Sequence, residues 1–348
     1  MTVDRHDAAR GAVLGLAVGD AAGLPAWFHR AARSGWSRSM LWRLSADLDA
    51  QQVSRPLLPF SPAATGPQPL CGTDDTETMA VAALALLDGA AHDVPELFAA
   101  WRRYYADDPG VWSGIAERSA IRNARSGLVP PVTGADNPVH WDDSAVATGV
   151  AVGVRYAGDP DGAGRVAAGY AGITHAEDGV WAAEAMARAI AALIGGETLE
   201  DAVAVGVSQV PEDSWLGRNL RRAQRIRESA ESAFAAVPEM TRVLSPDRYS
   251  HAGVAPETLP VALTIARLSD GDPAQGVQSA ALMARQSDSV PAMVGALCGA
   301  ARGAGALPEA WTAEIDTVRG VLVPAVAGLS LSDLADRLVR QGSPLIGG

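Results

Sequence analysis

The chain has 348 residues, 48% of them hydrophobic, and a formal net charge of −12. That is ample apolar material for a large core, and the acidic balance disfavours nonspecific binding to nucleic acid or anionic membrane. Every basic residue is arginine, which excludes Schiff-base chemistry and pyridoxal phosphate held through lysine. Cys71 and Cys298, with no CxxC pair, argue against a disulfide framework and against cysteine-ligated zinc.

The N-terminus is polar and carries acids, and no apolar run reaches the roughly 18 residues of a membrane span. A cytoplasmic location is the expectation. From Ala8 to Gly23, glycines recur every four residues at positions 11, 15, 19 and 23. Glycine costs a helix about 1 kcal/mol relative to alanine, so four on one stripe need compensation. Close approach of a second helix along an i±4 ridge would supply it. Asp20, beside the stripe, is expected to be a structural carboxylate that accepts backbone N–H groups.

Residues 24–70 differ. Trp27, Phe28, Trp36 and Trp42 alternate with Arg30, Arg33, Arg38 and Arg43, and a proline-rich segment follows. One or two short helices and an irregular loop are expected. Two readings stand side by side: a surface excursion packed down by its tryptophans, or a nucleotide contact made by ring stacking and arginine–phosphate pairing.

Cys71-Gly72-Thr73-Asp74-Asp75-Thr76-Glu77 then leads into an apolar run from Met79 to Leu87. Hydroxyl and carboxylate oxygens at this density suit a hard divalent cation such as Mg²⁺. They equally suit a capping box, with a hydroxyl or carboxylate at the N-cap and Glu77 three residues on from Asp74. Further helices are predicted over 95–105, 115–125, 180–194, 199–207, 215–237, 258–268 and 331–339, with Gly195-Gly196 as a stop. Asp142-Asp143-Ser144 stands before another apolar run, and His175 lies at a loop-to-helix junction. Near the C-terminus, Gly295, Gly299 and Gly303 form a second glycine ridge, preceded by Gln286-Ser287-Asp288-Ser289. This helix is the candidate partner of the first, and the pairing would bring two oxygen-rich helix starts together. No run alternates as a strand would, and no fixed repeat recurs, so the sequence predicts one all-α domain over 1–348.

The ordered series of Gly11 to Gly23 with Asp20, Thr73-Asp74-Asp75-Thr76, Ile173-Thr174-His175, Ser287-Asp288-Ser289 before a Gly/Ala helix, and Pro308 with Trp311 resembles the ADP-ribosylglycohydrolases. These include the ADP-ribosylarginine hydrolases and the dinitrogenase-reductase-activating glycohydrolases. The likeness spans nearly the whole chain. It implies an all-α fold, one or two Mg²⁺ ions (or Mn²⁺), and cleavage at C1 of the ribose of an ADP-ribose conjugate. It implies Thr73, Asp74 and Asp75 as one ligand cluster, Asp288 as a metal-bridging carboxylate, Ser289 as its hydroxyl neighbour, and His175 in the substrate pocket. Asp142, Asp143 and Ser144 fall where the family has an Asn-Gly segment near the distal ribose and phosphates. Asp75, by preference over Asp74, would take the proton of a metal-positioned water.

Three departures bear on substrate. Gln286 stands where the family carries an aspartate, Trp27 (or Ala26) where it often carries a glutamate, and acids replace the Asn-Gly segment. They point toward a smaller NAD-derived nucleotide or N-riboside, with Trp27 stacking on a base and Gln286 offering a neutral oxygen. The alternative is a catalytically inactive module that senses ADP-ribose or a nucleotide. Either way the expected partner is a small molecule or an ADP-ribosylated substrate; the sequence specifies no oligomeric state.

Overall fold

The computed structural model describes residues 3–31, 71–244, 253–283 and 289–340, with backbone alone over 24–31. The described residues form helices and no named strand; two isolated antiparallel bridges pair Asp142 with Val254 and Thr317 with Ser330. In chain order the principal helices are α1 (Arg5–Ala31), α2 (Asp74–Asp88), α3 (Val94–Trp101), α4 (Ile115–Arg125), α5 (Ser144–Arg155), α6 (Pro160–Ala171) and α7 (Asp178–Ile194). Then come α8 (Leu199–Val207), α9 (Trp215–Ser229), α10 (Ala233–Leu244), α11 (Ala255–Leu268), α12 (Pro273–Ala280), α13 (Ser289–Arg302) and α14 (Leu331–Arg340). Many starts are written in local chemistry. Asp93, Asp159, Thr198, Ser214 and Asp272 each cap a helix by accepting a backbone N–H with the side chain. None of the helices among the described residues is long and apolar enough to cross a membrane.

The two glycine-ridged helices pack on each other, antiparallel. A Cβ at Gly11 would fall on the carbonyl of Gly299, one at Gly15 on that of Gly295, and one at Gly19 on that of Pro291. Backbone thus touches backbone where each glycine lacks a side chain, and the cost in helix propensity is offset by contact. Gly303 continues the contact just past the helix, its carbonyl carbon 2.8 Å from where a Cβ at Gly11 would lie. It ends α13 in the left-handed region, at φ 83°. A second close seam joins α5 to α7, with Gly149 against the Ala183 carbonyl and Gly153 against Ala187 and Ile190. One core cluster draws residues from α1 through α14.

These pairings fix which way the helices point. Because α1 and α13 are antiparallel, Ser289 at the start of α13 lies at the Asp20 end of α1. Asp20 in turn bonds the start of α2 through Thr73 and Thr76. Beyond the far end of α2, His92 bonds Leu86 O and, 2.8 Å away, the Tyr156 hydroxyl at the end of α5, so α2 and α5 run parallel. The α5–α7 seam is likewise parallel. Ala255 at the start of α11 donates to Trp141 O, just ahead of α5. The N-termini of α2, α5, α7, α11 and α13 therefore gather at one end. Each carries partial positive charge, so this end favours carboxylates.

Three expected boundaries move. Helix α1 runs on to Ala31 rather than ending near Gly23, and residues 32–70 lie outside the described residues. The stretch expected as one helix over 215–237 is two. The Ser229 hydroxyl turns back onto the Arg225 and Ile226 carbonyls, and Ser232 Oγ accepts from Ala235 N to start a new helix. That helix continues to Leu244. The segment expected as helix over 95–105 is α3 followed by one π-helical turn, Arg102–Ala106.

Candidate metal centre

Asp20 sits on α1 beside the glycine ridge and is wholly buried. Its carboxylate accepts four hydrogen bonds from the start of α2: from Thr73 N at 2.6 Å, Thr76 N at 3.0 Å, Thr76 Oγ1 at 2.6 Å, and from Thr73 Oγ1. The Thr-x-x-Thr spacing is thus a bracket around a carboxylate brought in from another helix. Thr73 makes no side-chain cap of its own. Asp20 holds the structural place the sequence predicts for it, and it does what the N-cap would otherwise do.

The capping-box reading of Glu77 does not hold. Its buried carboxylate accepts from the backbone N–H groups of Val321, Leu322 and Val323 at 2.7, 2.8 and 2.8 Å. Glu77 ties a C-terminal segment to α2 instead of closing the helix on itself. Capping is thus delegated to Asp20, and Glu77 is occupied elsewhere.

One carboxylate oxygen from each of Asp20, Asp74 and Asp75 lies within 4.8 Å of the others. Asp75 is buried and Asp74 partly exposed. Thr73 Oγ1 stands 3.0 Å from Asp74 Oδ1. Burial, and then the charge of Asp74, push the Asp20 carboxyl up to about 7, against the downward pull of its threonine bonds. A cluster of acids so crowded is relieved by a cation. An all-oxygen donor set fits a hard divalent ion such as Mg²⁺ and does not suit a soft metal. The four bonds already made by Asp20 occupy the acceptor sites of a carboxylate. It therefore acts as the brace of the cluster that it forms with Asp74 and Asp75. Ser289 is buried at the first position of α13, at the same end of the molecule. Asp288, Gln286 and the side chain of Trp27 lie outside the described residues.

A second cluster forms at the starts of α5 and α7. Ser144 Oγ donates to Glu117 Oε1 at 2.6 Å, which leaves its lone pairs facing His175 Nε2 at 3.3 Å. His175 Nδ1 lies 2.7 Å from Thr174 Oγ1, and Asp142 Oδ1 stands 3.9 Å from Nε2. This order of donors assigns the proton of a neutral His175 to Nε2, with Thr174 donating to Nδ1. Asp142, Ser144 and His175 are thus together. Asp143 is buried beside Gly253: its N–H donates to Gly253 O, and its Oδ1 would lie 2.8 Å from a Cβ at Gly253, whose φ of +78° only glycine adopts readily.

Glu117 was not visible as a site residue in the sequence. It is buried on α4, and burial, followed by the Asp142 charge, raises its carboxyl above the usual range, while His175 and Ser144 oppose the rise. The available signal was an acid on an alanine stripe, with Ala120 and Ala124 three and seven residues on. Tyr105 lies between the two clusters. Its hydroxyl is 3.4 Å from Thr78 Oγ1, and burial, then the charges of Glu117, Glu77 and Asp74, hold its phenol far above normal.

The site thus stands as an acid cluster that could hold a metal ion, set among converging helix starts of an all-α fold. A model of the ADP-ribosylglycohydrolase family matches residues 1–344, and the chain belongs to that family. The family acts on ADP-ribose conjugates with divalent metals, and membership supports a glycosyl hydrolase. Among solved structures, one titled "ADP-ribosylglycohydrolase-related protein complex" is 22% identical with a TM-score of 0.61, over 97% of this chain and 98% of that one. That likeness speaks to the fold. No curated protein matches the sequence significantly.

Proposed function

We propose that the protein is a Mg²⁺-assisted hydrolase of the C1 N-glycosidic bond of an ADP-ribose conjugate or of a smaller NAD-derived nucleotide or N-riboside. The observation that carries this reading is the Asp20–Asp74–Asp75 cluster, braced by Thr73 and Thr76 at a point where five helix N-termini meet.

Thr73, Asp74 and Asp75, with Asp288 and Ser289 from the other end of the chain, would hold the metal. Bound there, a divalent cation supplies a grip on ribose hydroxyls and acidifies a water. The chain's own groups do the rest. Asp75, buried and poised at the cluster, accepts the proton of the attacking water, with Asp74 beside it. Crowded carboxylates favour the positive charge that builds on the ribose ring in an oxocarbenium-like transition state. His175, buried, holds Ser144 from behind through Nε2, Ser144 keeps a lone pair for a sugar hydroxyl, and Asp142 accepts from another. A carboxylate there disfavours a pyrophosphate, and with Gln286 and Trp27 this inclines the site toward a small riboside over an ADP-ribosylated protein.

The test is a panel of ADP-ribosyl-arginine, ADP-ribosyl-serine and nicotinamide-type ribosides, each with Mg²⁺. Riboside cleavage that disappears with chelator and in Asp75→Asn supports the small-substrate reading; ADP-ribose release from the conjugates alone overturns it. Gln286, which lacks the charge of an aspartate, favours a second reading: a non-catalytic module that binds ADP-ribose or a nucleotide. Binding unaffected by chelator and by Asp75→Ala, with no turnover of any substrate, would establish it.

A further inference from the structure

On the solvent side of α4 lies a groove of about 540 Å³ between that helix and the turn over 105–113. Arg118, Arg122 and Arg125 line it. Their i, i+4, i+7 spacing sets all three on one helix face, opposite the buried Ala116, Ala120 and Ala124. In a chain of net charge −12, none of the three forms an ion pair among the described residues. The plainest explanation of basic residues on a helix is the C-terminal dipole. It accounts for Arg122 and Arg125 but not for Arg118, which stands in the first turn, where a cation is disfavoured.

Two of the guanidinium groups are also held in place. Arg118 Nε donates to Gly114 O at 3.1 Å, and Arg125 Nε to Ala106 O at 2.8 Å. Each bond uses the single Nε–H and leaves the paired Nη edge, the one that grips an oxyanion with two parallel hydrogen bonds. Arg122 makes no side-chain hydrogen bond among the described residues and sits between them in sequence. Asp108 at the rim accepts from Gly110 N at 2.7 Å, and three arginines against this one acid leave the lining a net positive charge. Pro109, Val111 and Ile121 give the same groove apolar wall, more than a bare anion needs.

We propose that this groove is an accessory anion site for the phosphate group of a small organic phosphate, separate from the metal centre. The arginines take the phosphate, and the apolar wall takes part of the carbon skeleton. Binding there needs no divalent metal.

The test is titration calorimetry of the full chain in chelator with AMP, inorganic phosphate and adenosine. AMP is expected to bind, to weaken as salt rises, and to lose roughly tenfold or more in affinity in Arg118→Gln/Arg122→Gln, while adenosine does not bind. Inorganic phosphate is expected to bind at the same arginines more weakly than AMP. Arg122→Gln alone, which removes no hydrogen bond of the fold, repeats the test if the double variant is unstable. The proposal is overturned if AMP fails to bind in chelator, if it binds only with Mg²⁺ and loses binding in Asp75→Ala, or if the arginine variants bind as wild type does.

Discussion

Gly15→Ala sets two physical effects against each other. Helix propensity alone favours the change by about 1 kcal/mol, because alanine is the best helix former and glycine among the worst. Packing opposes it. The new methyl would occupy the position of the Gly295 carbonyl, and a Cβ at Gly295 would in turn strike Gly15 O, so there is no side chain to rotate aside. The helices must part, and overpacking of this kind costs about 1–3 kcal/mol or more, with loss of contact along the whole seam. Backbone on backbone cannot repack, so the cost falls at the top of that range, and a net loss of roughly 2 kcal/mol remains after the propensity gain. Unfolding entropy is about 2.1 cal/mol/K per residue, so a chain of this length should melt roughly 3 °C lower. Gly305 is the control, since nothing lies within 4 Å of a Cβ there. Calorimetric melting of both variants is the assay. A Gly15→Ala protein that melts at or above the wild-type temperature would refute the backbone-contact account of the ridge. Because the same seam carries Asp20, the variant should also show weaker stabilisation by Mg²⁺.

Other substitutions probe the site piece by piece. In Glu77→Gln one carboxylate oxygen becomes an NH₂ facing a backbone donor, so roughly 1–3 kcal/mol of stability should be lost. Limited proteolysis should then cut more readily around 313–330, and unchanged protection would contradict the tether. Asp20→Asn leaves one oxygen for four donors; thermal stabilisation by Mg²⁺ should fall sharply while the helical circular dichroism remains, and full metal response would remove Asp20 from the site. Glu117 yields a pH signature. Its folded carboxyl is raised, so its contribution is complete below the unfolded value of about 4.3 and is lost as pH climbs toward the raised one. Glu117→Gln keeps an acceptor for Ser144 and removes that charge among Asp142, His175 and Tyr105. Urea midpoints should therefore shift in the variant's favour as pH rises from about 4 to about 8. A pH-independent difference would count against a raised Glu117.

Much of this was readable from sequence because it is periodic or local. The glycine ridges repeat at four residues, and that spacing alone names both helices and predicts their meeting. The caps at Asp93, Thr198 and Ser214 are likewise short-range chemistry. The two-sided reading of Thr73 to Glu77 could not be closed from sequence. Its resolution depends on where Asp20 and residues 321–323 arrive, and those contacts span 53 to 246 positions. Glu117 was missed for the same reason: its role is set by Ser144, 27 positions on, and Asn123 and Asn137 fold the chain between them back onto α4. The split of the 215–237 helix turns on two serine hydroxyls competing with the backbone, a contest that apolar periodicity does not register.

If Asp74 and Asp75 form half of a working metal site, Mg²⁺ must bind through them. Titration calorimetry of Mg²⁺ into the metal-stripped protein, beside Asp75→Asn of matched circular dichroism, measures this. Saturable binding by the wild type and none by the variant is expected at the same millimolar concentrations. Equal binding by both proteins, or none by either, would contradict it.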